Sequence, residues 1–139
     1  MAIVYENGIK PIPMRANADL SSYQYCFVEL AGSATEGYVD LCSSGSTTYA
    51  PCGILQNDPE SGAEASVLVD SGFSKLKCAA PGTRVLVGHW LTSNASGAGV
   101  VTTTASLAWA VAYSNGNSSA SSFVTVKFGA PAHLTQRIA

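Results

Sequence analysis

Short runs of β-branched and aromatic residues, each closed by a cluster of Gly, Ser, Asn, Asp or Pro, recur along most of this chain and limit it to strands. Gln24–Leu30 ends at Ala31-Gly32-Ser33, Tyr38–Cys42 at Ser43-Ser44-Gly45-Ser46, and Cys52–Gln56 at the strong turn cluster Asn57–Gly62. Ala65–Val69 and Phe73–Cys78 are split by Asp70-Ser71-Gly72, which reads as a tight hairpin. Phe73, Leu76 and Cys78 do not alternate cleanly, which leaves room for a bulge. Thr83–Val87, Gly88–Thr92 and Val100–Thr104 continue the pattern. In Phe123–Phe128 the residues Phe123, Thr125 and Lys127 oppose Val124, Val126 and Phe128, the period of a half-buried strand. Leu107–Tyr113 has enough alanine for a helix, but its branched and aromatic flank and the following Ser/Asn-rich loop argue for a strand. The reading is all-β, a small β-barrel or β-sandwich with an extended N-terminal arm, and no internal repeat is visible.

Size and charge narrow the function. A chain of 139 residues, 47% hydrophobic, can build its own core. Charged residues are only 12%, about half of the roughly 25% of an ordinary soluble domain, so the surface must be built from Ser, Thr, Gly, Asn and Ala. Such a surface suits a protein that works covered by a partner. The net charge is −2, and of the seven basic residues only Lys75 and Lys77 lie close together. Phosphate neutralisation needs a basic patch, so nucleic acid is not an expected partner. No apolar run reaches the roughly 18 residues of a membrane span. Met1–Gly8 lacks the basic start and apolar core of a secretory signal, which reads as synthesis in a cytoplasm.

Three regions differ in character: an extended arm over 1–22, a β-domain over 23–128 and an irregular tail over 129–139. In the arm, Pro11 and Pro13 interrupt Ile3, Val4, Tyr5, Ile9, Ile12 and Met14, and no period would bury these side chains in their own domain. Extended segments of this kind gain main-chain hydrogen bonds by adding to a neighbour's sheet. Lys10 and Arg15 could add pairing to an acidic rim.

Candidates for chemistry are few. Cys26, Cys42, Cys52 and Cys78 have no C-x-x-C spacing, and His89 and His133 do not complete a zinc pattern, so buried free thiols and no metal are expected. A Cys42–Cys52 bridge is the one pairing that a closed Ser/Thr-rich loop would favour. No G-x-S-x-G elbow exists, and His89, between Gly88 and Trp90, reads as a hydrogen-bonded ring within a β run. With no nucleophile and base to name, no catalytic residue and no cofactor are expected. Gly97-Ala98-Gly99 lacks the third glycine of a dinucleotide fingerprint. Asp58, Glu60 and Glu64 around Pro59 and Gly62 read as a solvated turn rather than a calcium loop. Trp90 and Trp109 lie in apolar company and read as packing residues. A carbohydrate- or receptor-binding module is the alternative, with amides from Ser114-Asn115-Gly116-Asn117-Ser118 beside an exposed aromatic platform.

The segment Gly53–Val67 carries Gly53, Ile54, Leu55, Gln56, Pro59, Gly62, Ala65 and Val67 in the spacing G-hydrophobic-hydrophobic-Q-x-x-P-x-x-G-x-x-A-x-V. Gly72-Phe73-Ser74-Lys75 follows as G-x-x-K, and Asp19-Leu20-Ser21-Ser22-Tyr23-Gln24-Tyr25 with Val28 precedes it. Over roughly 19–128 the chain resembles tailed-phage capsid decoration (cement) proteins of the DUF2190-like group. The resemblance rests on turns and strand edges, and the four cysteines and His89-Trp90 depart from the group. It implies a non-enzymatic virion protein, made in the host cytoplasm and bound to the outer surface of the capsid. Its partners would be the major capsid protein and itself, as a homotrimer, and it would stabilise the head against DNA pressure.

Overall fold

The computed structural model describes residues 11–32, 36–44, 50–69, 72–79, 84–117 and 119–129. They form an all-β fold of ten strands, with a single 3-10 turn at Ala105–Leu107. The first five strands are β1 (Ile12–Ala16), β2 (Phe27–Leu30), β3 (Tyr38–Leu41), β4 (Gly53–Leu55) and β5 (Glu64–Leu68). They close a barrel in the order β1-β3-β2-β4-β5, with β5 pairing back onto β1. The second five are β6 (Phe73–Cys78), β7 (Trp90–Ser93), β8 (Gly99–Thr102), β9 (Ala110–Ala112) and β10 (Ser122–Phe128). They close a second barrel in the order β6-β8-β7-β9-β10, with β10 pairing back onto β6. Closure leaves no free sheet edge in either ring.

The two barrels have the same connectivity, so the chain does contain an internal repeat. In each, the first and third strands pair in parallel and every other pair is antiparallel. The registers also coincide: Phe27↔Ile54 corresponds to Trp90↔Val111, Leu55↔Val67 to Ala112↔Val126, and Met14↔Ala65 to Leu76↔Val124. Loop hydrogen bonds follow suit. Tyr25 N–H donates to Leu55 O and Gly88 N–H to Ala112 O, while Cys52 N–H donates to Val28 O and Trp109 N–H to Leu91 O. Ser66 N–H donates to the Asn57 side chain, as Thr125 N–H does to the Ser114 hydroxyl. Among these equivalent pairs only Val67 and Val126 are the same residue. A closed ring constrains which side chains point inward, not which apolar residue does so, and the repeat therefore leaves little trace in sequence identity.

Several expectations are corrected by this topology. The hairpin expected at Asp70-Ser71-Gly72 would join β5 to β6, but β5 pairs with β1 and β4 and β6 with β8 and β10; Asp70 and Ser71 themselves lie outside the described residues. Arg84–Val87, expected as part of a strand, joins no sheet: it bonds to the loop at Asn115 and Gly116, Leu86 and Val87 are exposed, and the chain turns there through the Leu86 O to His89 N–H bond. Gln24–Cys26 likewise precedes β2 as a turn, since Tyr25 takes φ +66°. The expected arm 1–22 enters the first barrel at β1, where Ile12–Arg15 pair with β5 and Met14 packs on the barrel core. Closing the ring requires β1 between β3 and β5, so Pro13 is tolerated and Met14 gains a buried face that no local period announced.

Ala16, Leu20, Val28, Val39, Leu55, Ala65 and Val67 fill the first barrel. Leu76, Cys78, Leu91, Ala112, Val124 and Val126 form the second core, joined by Phe27, Cys42 and Ile54 from the outside of the first barrel. No disulfide joins the four cysteines, and the Cys42 thiol donates to Ser44 O. Burial pushes Cys78 and Cys52 up to about 12, and burial also raises Cys26 and Cys42, with Lys77 partly offsetting the rise at Cys26.

Two predictions follow the core. The folded state keeps the Cys78 proton up to about pH 12, whereas the unfolded thiol releases it near 9. The unfolded state therefore binds fewer protons in that window, and stability falls as pH rises through it, by about 1.4 kcal/mol per pH unit for one thiol. Denaturant midpoints measured between pH 8 and 11 should drop, and the drop should be shallower in Cys78→Ala. Gly37 and Gly97 are equivalent and share φ near +78° and +73°, but only Gly97 faces crowding: a Cβ there would lie 2.6 Å from Leu41 and 2.8 Å from the Phe27 carbonyl. Gly37→Ala should cost about 1–2 kcal/mol, and Gly97→Ala a further 1–3 kcal/mol or so, in equilibrium unfolding.

Candidate functional site

The most elaborate arrangement of side chains and backbone in the molecule is the seam between the barrels. In the first barrel the parallel β1–β3 pair is closed by Arg15 N–H donating to Gly37 O at 2.9 Å, with Arg15 opposite Tyr38 and Ala16 opposite Val39. In the second barrel the equivalent β6–β8 pair is reduced to Cys78↔Gly99. The backbone of Tyr25–Phe27 enters the gap: Lys77 N–H donates to Tyr25 O at 2.8 Å, and Phe27 N–H donates to Gly97 O at 2.7 Å. Side chains reinforce the entry. The Tyr25 ring meets Phe123 edge-on at 5.7 Å with Lys75 Nζ 5.8 Å from its centroid, and the Phe27 ring lies 6.2 Å from Phe128. Gln56 Nε2 donates to Ser74 Oγ at 2.9 Å.

This seam uses one face of each barrel; on the equivalent faces Tyr113 packs edge-on against Phe73 at 5.0 Å, and Arg15 N–H is bonded to Gly37 O within the first barrel. On the second barrel the places of Gln24, Phe27 and Gln56 are taken by Val87, Trp90 and Tyr113. Val87 is 61% exposed and Tyr113 38% exposed, while Trp90 lies half-buried over Ala108 and Val111. The Trp90 indole N–H is buried without an acceptor among the described residues. On the first barrel the places of Ser74, Lys75, Lys77 and Phe123 are taken by Ile12, Pro13, Arg15 and Glu64. With Gly37 and Glu36, most of these line a cleft of about 490 Å³.

The residues singled out from sequence fall as follows. Ile3, Val4, Tyr5, Ile9 and Lys10 lie outside the described residues. Ile12, Met14 and Arg15 are in β1, with Ile12 and Arg15 exposed. The motif residues hold the first barrel and the seam together. Gly53 admits no Cβ because it abuts the Leu68 carbonyl; Pro59 O accepts from Leu20 N–H; Gly62 takes φ +79° and donates to Ala16 O. Gln56 and Lys75 contribute to the seam, and Gly72 O accepts from Phe128 N–H. Sequence reasoning missed Tyr25, Phe27, Gly97 and Phe123 as seam residues. The one signal was an aromatic stretch ending in a residue at positive φ, which a sequence does not announce for tyrosine.

Other candidates are occupied locally. His89 Nδ1 accepts the Leu86 N–H at 3.0 Å, as a ring closing its own turn. The Asn115 carboxamide accepts from Val87 N–H and that of Asn117 from Ser119 N–H, so their oxygens serve the loop itself. Asp58, Glu60 and Glu64 are exposed, and no group of three metal-ligating side chains occurs among the described residues. No helix among them is long and apolar enough to cross a membrane.

No family model matches this chain, and no curated protein sequence does. Among solved structures, the fold is similar to the N base of the head fiber gp8.5 of bacteriophage phi29, with a TM-score of 0.64 at 16% identity. The similarity covers 85% of this chain and 92% of that one, so it spans both barrels.

Equivalent residues in unequal surroundings test the seam. Phe27 is fully buried between the barrels whereas Trp90 is half-exposed. Phe27→Ala should cost about 3–5 kcal/mol and speed amide exchange in β6 and β10 as much as in β2. Trp90→Ala should cost less than Phe27→Ala despite removing the larger side chain, as read from denaturant midpoints.

Proposed function

We propose that this chain is a non-enzymatic structural protein of a tailed-phage virion, bound to the outside of the head through the major capsid protein. The observation that carries the reading is the extent of the shared fold: nearly the whole of a phage head fiber base matches both barrels. Three further features support it. The turn and strand-edge pattern around Gly53–Gly62 resembles that of decoration proteins. Charge is sparse, at 12%. Large apolar side chains at Leu30, Phe73, Leu86 and Phe123 are exposed, which suits a surface covered in service.

In this reading the protein acts as a cement that ties neighbouring capsid subunits together against DNA pressure, as a homotrimer, with no cofactor, nucleic acid or membrane. Grip comes in part from residues 1–10. Ile3, Val4, Tyr5 and Ile9 each contribute about 1.5–3 kcal/mol if buried against a capsid sheet, less the cost of ordering the segment. Ile12, Met14 and Arg15 contribute through the barrel to which they belong. Three linked chains raise the effective concentration of each weak contact.

A variant lacking residues 2–10 keeps all of β1 and separates these contributions. The intact protein should co-sediment with expanded heads and raise the temperature at which they release DNA. The shortened form should keep its β-rich circular dichroism yet bind at least about tenfold more weakly. Equal binding by both forms removes the arm from the account. Failure of the intact protein to bind any head rules out the cement reading.

A further inference from the structure

We propose, resting on the capsid-binding reading above, that the outer face of β6, β10 and β9 is a capsid-contacting face of this chain. The surface it meets is that of a protein with an apolar centre and an acidic rim.

Charge is segregated along the chain. All nine Asp and Glu residues lie between Glu6 and Asp70, whereas five of the seven Lys and Arg lie beyond, at Lys75, Lys77, Arg84, Lys127 and Arg137. The first barrel is therefore acidic and the second basic, a division that the net charge of −2 conceals. Strand pairing then gathers the basic residues. Lys77 lies opposite Phe123, Lys75 opposite Thr125 and Lys127 opposite Phe73. Opposed residues share a face, so Lys127 joins Lys75 and Lys77 although it is distant from both in sequence. Lys75 is exposed, and Lys77 and Lys127 are half-buried. No Asp or Glu of their own barrel neutralises them.

The same face concentrates apolar rings. Phe73 is 52% and Phe123 56% exposed, and Tyr113, which meets Phe73 edge-on, is 38% exposed. Aromatic anchors with charge at the rim are the make-up of a protein interface. The ring geometry selects a protein over nucleic acid or glycan. Phe73 stands at 87° to Tyr113, and Phe123 at 83° to Tyr25. Such edge-on pairs make a ridged surface that side chains can pack into, whereas bases and sugars stack on flat, open ring faces. Recognition of base edges or sugar hydroxyls also draws on amides and carboxylates, and the outward residues of β6, β9 and β10 supply neither. The three lysines then call for an acidic rim on the partner, which steers association and fixes orientation. This face and residues 1–10 are separate contributions to the grip.

Co-sedimentation with expanded heads at roughly 50 and 300 mM salt tests this, for the intact chain, Lys127→Glu, Phe73→Ser, and Lys127→Glu combined with Glu60→Lys. Circular dichroism checks that each variant stays folded; Thr125→Glu, at an exposed position of the same face, replaces any that does not. Each single variant should weaken binding at least about tenfold, and the higher salt should weaken the intact chain more than Lys127→Glu. Glu60 is exposed in the first barrel, so its change restores the net charge without restoring the face, and the double variant should bind as weakly as Lys127→Glu. If the intact chain binds heads and either single variant binds equally well, the reading above stands and this face is not the contact. Recovery of binding in the double variant overturns the proposal in the same way, since net charge alone would then be at work. Tighter binding of the intact chain to oligothymidylate, to polygalacturonate or to itself than to heads, lost in Lys127→Glu, gives the face another occupant and overturns it too. An intact chain that binds no head removes the reading and this proposal together.

Discussion

The insertion of Tyr25–Phe27 between β6 and β8 is the contact on which the rest of this structure depends. A closed five-stranded ring should satisfy its own backbone, yet the second ring leaves Lys77 N–H and Gly97 O for its neighbour. Without the insertion both groups would need another partner. The barrels therefore behave as one cooperative body rather than as beads on a linker. Phe27, Cys42 and Ile54 extend the same logic to side chains, being outside one barrel and inside the core of the next.

That arrangement explains the odd residue at position 25. Tyrosine at φ +66° costs roughly 1–2 kcal/mol where glycine costs nothing, and the equivalent residue is indeed Gly88. The ring contacts to Phe123 and Lys75 offset the strain, because only a side chain can anchor the inserted backbone. At the equivalent position on the second barrel, where the backbone is not inserted between described strands, a glycine suffices. Low charge fits the same picture. A surface made of Ser, Thr and small apolar residues lets two barrels approach closely without desolvating ions.

Parts of this were legible in the residues. Phe123–Phe128 alternates, and the structure buries Val124, Val126 and Phe128 while leaving Phe123 and Thr125 exposed. Gly62 and Pro59 announced their turn, and His89 its local hydrogen bond. Thr83–Val87 misled because branched residues favour strands only where a partner strand exists, and here Arg84–Val87 bonds instead to the loop at Asn115 and Gly116. Asp70-Ser71-Gly72 misled because a short polar break has the same composition whether it reverses a chain or passes it to the next barrel. The seam was hidden because its key bonds are between backbone groups, which every residue carries.

The sequence by itself determined an all-β chain: its alternating runs set which side chains face inward, and its glycines and prolines set where strands stop. It determined a surface sparse in charge. It could not determine which strands neighbour one another, because pairing joins segments far apart and is specified by ring closure rather than by any local pattern. The division into two rings, the capture of β1 from an apparent arm and the repeat that relates Phe27 to Trp90 were decided only in three dimensions. There, the requirement that buried backbone groups find partners outweighs the preferences of single residues.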